Sequence, residues 1–220
     1  MAEENQVTIF TDFDKTMVKQ DSPVRFVALL FLKQPGTVFS EAIAAFRRYG
    51  LGGQAFFNII SSTDKATRDR IAAWTAYRLS FNKRWILAVK EFIKRYPGIK
   101  NIKIVVLTRN ITLIPEIFIK RNIGWLCSIT DGRFRGDIDV IGNSIDSTRG
   151  SLPNIARHDW NTLGEHRYER MGNLMISVID KSREKLLFIK SKNAFYFGDK
   201  KEYYELVSHA GIRQLKFQQV

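Results

Sequence analysis

The chain has 220 residues, a net charge of +13 and a single cysteine, Cys127. That length can bury the core of one α/β domain with a small insertion. An internal disulfide is excluded, and no apolar run approaches the roughly 18 residues of a membrane span. The first residues, Met1 to Gln6, are acidic and polar, the reverse of a secretory signal. With Cys127 in an apolar stretch that reads as core, the expected setting is reducing and cytoplasmic. The charge can steer anionic partners such as phosphate esters, nucleic acid or an acidic membrane surface. The basic residues are spread along the chain, which fits a solvated basic surface at least as well as a nucleic-acid site.

In chain order, Val7 to Phe10 is a short β-rich run that reads as a buried strand. Two carboxylates two positions apart, Asp12 and Asp14, stand where that strand ends, followed by Thr16 and the polar pair Lys19-Gln20. In open α/β sheets the chemistry lies outside the carboxyl ends of the strands. Two acids at such a place repel one another unless a divalent cation or a proton intervenes.

Asp21-Ser22-Pro23 opens a helix, with Ser22 as N-cap and Pro23 in the first position, that stops near Pro35-Gly36. Further helices are expected over about Phe39–Tyr49, Gln54–Ile60, Ser62–Leu79 with its Ser62-Thr63-Asp64 cap, and Lys83–Arg95. Residues 22–95 thus read as helix after helix, inserted between two strands rather than alternating with them.

The strand signal returns at Ile102–Leu107 and delivers Thr108 and Arg109, and a helix follows over about Thr112–Lys120. Trp125–Ile129, the turn signal Asp131-Gly132 and Arg135–Ile141 together read as a β-hairpin. Gly142–Gly172 is irregular; its His158 and His166 lack metal-ligand spacing and read as surface residues. Leu174–Ile179 is a strand ending in Asp180-Lys181, followed by a short helix. Ala194–Phe197 is a strand ending in Gly198-Asp199. A helix over Lys201–His209 and a strand over Ile212–Phe217 complete the chain.

Four strand ends therefore present an Asp pair, a Thr, a Lys and a Gly-Asp. The run from Asp12 to Thr16 resembles motif one (DxDxT) of the haloacid dehalogenase superfamily of phosphohydrolases, and the other three strand ends follow that superfamily's motif order. The fold this implies is α/β: a Rossmann-like core with a mainly parallel sheet, over residues 1–20 and 100–220, plus an all-helical cap inserted after the first strand, over residues 21–99. A helical insertion between motifs one and two, and a hairpin after motif two, are similar to the phosphoserine-phosphatase-like branch.

The resemblance also implies roles. Asp12 would be the nucleophile that forms an aspartyl-phosphate, and Asp14 the acid and base that protonates the leaving oxygen and activates water. Thr108 would hold a phosphate oxygen, and Lys181, or Lys185 one turn on, would supply positive charge. Thr16, Asp21 and Arg109 would contact substrate, although Asp21 reads equally well as a helix-capping acid. Mg2+ would be held by Asp12, Asp14 through its carbonyl, and Asp199. The acid at Asp14 points to a phosphatase rather than a dehalogenase. A cap over the site favours a small phosphorylated metabolite; a phosphoprotein, or a degenerate fold that binds anions or nucleic acid, is the alternative, with nucleic acid disfavoured because no aromatics interleave the basic residues. One departure stands out: Tyr203 occupies a place where a second motif-four acid is common, with Glu202 beside it. Oligomeric state has no signal in the sequence.

Overall fold

The computed structural model describes residues 6–49, 59–60, 62–143, 175–179, 193–209 and 215–217. Six strands form one sheet: β1 (Gln6–Asp12), β2 (Asn101–Ile111), β3 (Phe134–Asn143), β4 (Met175–Ile179), β5 (Asn193–Tyr196) and β6 (Leu215–Phe217). Their order is β3-β2-β1-β4-β5-β6, and every pairing is parallel. The chain builds outward from β1 to β3, then returns to the other side of β1 for β4. That reversal opens a crevice at the carboxyl ends of β1 and β4, where ligands bind in sheets of this order. Asp12 is the last residue of β1 and stands at this point.

β1 is buried on both faces, as a central parallel strand must be. Val7, Ile9 and Thr11 alternate with Thr8, Phe10 and Asp12, and all six are buried. The β-branched run expected at Ile102–Leu107 lies within β2, aligned with β1 from Gln6↔Asn101 to Asp12↔Leu107. The strand continues to Ile111, with a register shift against β3 between Leu107 and Ile111.

Between β1 and β2 the described residues include the helices α1 (Ser22–Lys33), α2 (Pro35–Tyr49), α3 (Lys65–Tyr77) and α4 (Lys83–Arg95). The first cap differs from the expectation. Asp21, not Ser22, is the N-cap of α1, its carboxylate accepting from Val24 N at 3.3 Å. Asp is as good a cap as Ser, and Pro23 tolerates the second helical position as well as the first. Pro35 does not merely stop α1 but opens α2, because its missing N–H costs nothing in a first turn. Asp64 caps α3 through Thr67 N at 2.8 Å, and Asn82 caps α4 through Arg84 N at 3.1 Å. Of the helix expected over Gln54–Ile60, only residues 59 and 60 are described, and both are helical.

The excursion leaves and returns through one neck. Lys19 N donates to Ser80 O at 3.0 Å, Val18 bridges antiparallel to Phe81, and the Gln20 side chain exchanges two bonds with Ser80. On its return α4 lies against the sheet. Trp85, Ala88, Val89, Phe92 and Ile93 are buried, and the Trp85 indole donates to Thr11 Oγ1 of β1 at 3.0 Å. Just before the neck, at the end of α3, Tyr77 receives Arg121, whose guanidinium lies 4.0 Å from the ring centre and donates to the Tyr77 carbonyl at 3.2 Å.

The hairpin expected after β2 is not there. α5 (Leu113–Arg121) is followed by α6 (Ile123–Ile129), so Trp125–Ile129 is helical, and β3 pairs parallel to β2 rather than folding back on a neighbour. Asp131 and Gly132 do adopt left-handed backbone, φ 52° and 73°. They use it to end a helix: Gly132 N reaches back to Cys127 O at 2.9 Å, as at a helix C-terminus closed by a left-handed residue. The Thr130 hydroxyl donates to Leu126 O at 2.8 Å and accepts from Phe134 N at 3.2 Å, joining helix end to strand start. Cys127 is half-buried on α6 rather than fully in the core. α7 (Lys200–His209) connects β5 to β6. Among the described residues no helix is long and apolar enough to cross a membrane.

Candidate active site

Two acids, Asp12 and Asp14, sit on the last residue of β1 and in the turn that follows. Phe13–Met17 is a single wide helical turn, closed by Val18 N to Phe13 O at 3.0 Å. Inside it Asp14 is extended (φ −71°, ψ 131°) and Lys15 is left-handed (φ 62°, ψ −8°). A left-handed lysine costs about 1 kcal/mol. Three bonds hold it there: Lys15 N to Gln20 O at 3.2 Å, Asn82 Nδ2 to Lys15 O at 3.0 Å, and Asn82 N to Met17 O at 2.9 Å. The chain thus leaves the strand direction immediately after Asp12.

Asp12 is 8 % exposed, and its Oδ1 accepts from Phe13 N at 2.9 Å. Its main-chain carbonyl accepts the Thr11 hydroxyl at 2.9 Å, which in turn accepts the Trp85 indole N–H. Asp14 is half-buried, and its Oδ1 accepts from Ser22 N, in the first turn of α1, at 2.7 Å. A main-chain donor on Oδ1 helps to orient the carboxylate. The Thr16 and Ser22 hydroxyls are buried and have no hydrogen-bond partner among the described residues. Each such buried hydroxyl costs about 1–3 kcal/mol until something bonds it.

Asp21 is committed locally, with Oδ1 on the α1 cap and Oδ2 in an ion pair with Lys15 Nζ at 3.0 Å. Thr108 is buried on β2, next to the point where its register with β3 slips. Arg109 follows it on β2. Lys181 and Lys185 lie outside the described residues, as does most of Gly142–Gly172.

Asp199 is exposed at the start of α7, two strands from Asp12, a separation of about 10 Å between strand axes. Its Oδ1 accepts from Lys201 N at 2.7 Å and its carbonyl from Tyr203 N at 3.0 Å, so it also caps α7. Glu202 accepts the Tyr196 hydroxyl and thereby ties α7 to β5. Among the described residues no three histidine, cysteine or acidic side chains gather as a metal site. The donors expected from the sequence are the carboxylates of Asp12 and Asp199 and the carbonyl of Asp14. They are all oxygen, the set a hard divalent cation prefers.

Asn82, Arg84, Ser22 N–H and Trp85 are contributors that the motifs did not reveal. Asn82 was visible only as a polar residue ahead of an apolar helix, and nothing in the spacing joins it to a turn more than sixty positions earlier. Arg84 Nη1 donates to Phe197 O at 3.5 Å, and its guanidinium lies 5.9 Å from the Phe197 ring centre, immediately before Gly198-Asp199.

No protein-family profile and no curated protein sequence matches the chain. Solved structures do match its fold. A phosphoserine phosphatase captured as an analogue of its phospho-aspartyl intermediate is 13% identical, over 92% of this chain and 91% of that one, with a TM-score of 0.50. A HAD family hydrolase from Salmonella enterica serovar Typhi is 14% identical over 92% of this chain and 66% of that one, also at 0.50. A protein of unknown function from Bordetella pertussis Tohama I is 10% identical over 98% and 99%, at 0.58. With six parallel strands among the described residues, in the order β3-β2-β1-β4-β5-β6, and an aspartate at the reversal point, the chain has the HAD fold of these solved structures.

Proposed function

We propose that the chain is a Mg2+-dependent phosphomonoesterase acting in the cytoplasm on a small phosphorylated metabolite through an aspartyl-phosphate. The observation that carries this reading is the end of β1, where the buried Asp12 is followed two residues on by the half-buried Asp14, itself bonded to the first turn of α1, beside the buried hydroxyls of Thr16 and Ser22, which lack a hydrogen-bond partner among the described residues.

In this reading an oxygen of Asp12 attacks phosphorus while the bond to the ester oxygen breaks. The carboxyl proton of Asp14 passes to that oxygen, releasing the alcohol. Asp14, now a carboxylate, takes a proton from water as the water oxygen attacks phosphorus, and the bond to Asp12 breaks to give phosphate. The Thr16 and Thr108 hydroxyls hold phosphoryl oxygens, with Arg109 beside them. Lys181, or Lys185 in its place, balances the charge on nucleophile and phosphate. Asp21 borders the leaving group from the start of α1. Asp12, the Asp14 carbonyl and Asp199 would hold Mg2+, which supplies positive charge against the phosphoryl oxygens and is matched to an all-oxygen donor set.

The domain division proposed is a core of 1–20 and 100–220 with a cap of 21–99, amended at one end. α4 is bonded to β1 through Trp85 and lies beyond the neck at Ser80–Asn82, so it goes with the core. The cap proper is then α1 to α3, which would cover the crevice and admit small esters.

Phosphate release from a panel of phosphomonoesters, with and without Mg2+, tests the reading. Turnover that requires the metal and falls by at least about a thousandfold in Asp12→Asn is the expected outcome for loss of a nucleophile. Undiminished turnover in that variant, or none from the parent with any ester, would overturn it.

A further inference from the structure

We infer that Asn82 and Arg84 are positioning residues for the reaction, forming a strut that fixes the turn carrying Asp14 relative to the loop carrying Asp199. The inference rests on the reading of those two acids given above. Asn82 joins the turn to the start of α4, with two donors on the turn and its side-chain oxygen on its own helix. Its N–H goes to Met17 O at 2.9 Å, its Nδ2 to Lys15 O at 3.0 Å, and its Oδ1 accepts Arg84 N at 3.1 Å. One residue later than Lys83, the Arg84 guanidinium reaches the other strand end, donating to Phe197 O and lying over the Phe197 ring.

Two residues one position apart, Asn82 and Arg84, thus touch two loops that leave strands β1 and β5, with β4 between them. Lys15 needs such a hold, because its left-handed conformation persists only where neighbours over-determine it. Arg84 Nε is buried with no partner among the described residues, so the guanidinium is held through its other nitrogens. The strut starts from α4, whose own position is fixed by buried Trp85 under β1. The turn carrying Asp14 is therefore tied to α4 through Asn82 as well as to α1 through Ser22 N, and the loop carrying Asp199 is tied to α4 through Arg84.

The test uses the full-length chain with Asn82→Asp, Arg84→Met and Arg84→Lys. Asp caps a helix as well as Asn, so Asn82→Asp keeps α4 while replacing the donor to Lys15 O by an acceptor. Its kcat should fall on the order of 10- to 100-fold with KM nearly unchanged, as misplacement of a catalytic group does. Amide hydrogen exchange should quicken in residues 13–18 but not in α4. Arg84→Met should weaken Mn2+ binding, read by the EPR signal of the free ion, about tenfold, the usual effect of losing an outer partner of a ligand. It should also quicken exchange in residues 196–202. Arg84→Lys should recover most of the loss, since one donor to a carbonyl does not require the guanidinium fork. Unchanged exchange in both segments, with kcat and Mn2+ affinity at parental values, would overturn the strut while leaving the phosphatase reading intact. A parent that neither binds Mn2+ nor releases phosphate would overturn that reading instead. The exchange rates would still decide the strut: quickened in both segments they support it, and unchanged they reject it.

Discussion

Trp85 offers a measurable link between the insertion and the site. Its side chain is fully buried, donates Nε1–H to Thr11 Oγ1 at 3.0 Å, and stacks on Phe81 with ring centres 5.8 Å apart. Trp85→Phe keeps a six-membered ring but loses the donor and the five-membered ring. The hydrogen bond contributes about 1 kcal/mol net. The vacated volume, roughly 35 Å³, contributes about 1 kcal/mol more if the site does not collapse. A loss of about 2 kcal/mol corresponds to a midpoint lowered by about 4–8 °C in a chain of this length. Thr11→Val removes the acceptor and preserves shape, so the two changes form a double-mutant cycle. Urea unfolding should give a coupling of about 1 kcal/mol at constant m-value. Coupling below about 0.3 kcal/mol would refute the hydrogen-bond argument and leave Trp85 a volume filler.

Two predictions concern pH. The Asp64 carboxyl is held below its ordinary value of 3.8 by the Thr67 amide and hydroxyl, against a smaller opposing effect of burial. Its contribution to stability is therefore complete above that value and lost as pH falls through the lower folded one. Thermal unfolding of Asp64→Asn, which caps without titrating, should match the parent at neutral pH and overtake it only in strong acid, whereas Asp64→Ala should be the less stable at neutral pH. For Lys103, burial pushes the ammonium down, but the hydrogen bond and charge of Asp139, at 3.0 Å, and the charge of Asp137, at 3.4 Å, together raise it above 10.5. That stabilisation is present below 10.5 and lost as pH rises through the folded value. Asp139→Asn should cost about 0.5 kcal/mol at pH 7 for so exposed a pair, and chemical denaturation should show the difference from the parent shrinking above pH 10.5.

The strands were legible because short β-branched runs in a parallel sheet are buried on both faces and carry no competing helical period. Val7–Phe10, Ile102–Leu107 and Ala194–Phe197 all lie in strands within a few residues of their expected bounds. Trp125–Ile129 was misread because a five-residue apolar run has no period long enough to distinguish strand from helix. Asp131-Gly132 compounded the error: two left-handed residues suit a hairpin turn and a helix C-terminus equally well. In the site, the spacing of Asp12 and Asp14 was readable because both belong to one local turn. The left-handed Lys15 was not, since that backbone is imposed by Asn82 from the far end of the insertion and not by the identity of the lysine itself. Ser22 was seen as a cap hydroxyl, while the group that matters is its N–H, bonded to Asp14.

The position of β1 has a bearing on how the chain is made. The strand that carries Asp12 is made before either of the two partners it lies between, and both come from far down the chain. Its pairing with β2 begins at Asn101, and its pairing with β4 begins at Met175. At translation rates of about 5–20 residues per second, the second edge of β1 waits roughly 8–35 seconds for a neighbour. For that interval Val7, Ile9 and Phe10 are a short, apolar, incompletely paired strand, the kind of segment that chaperones bind and that aggregates when they do not. The placement that puts Asp12 at the reversal point of the finished sheet also leaves its strand waiting for a second neighbour during synthesis.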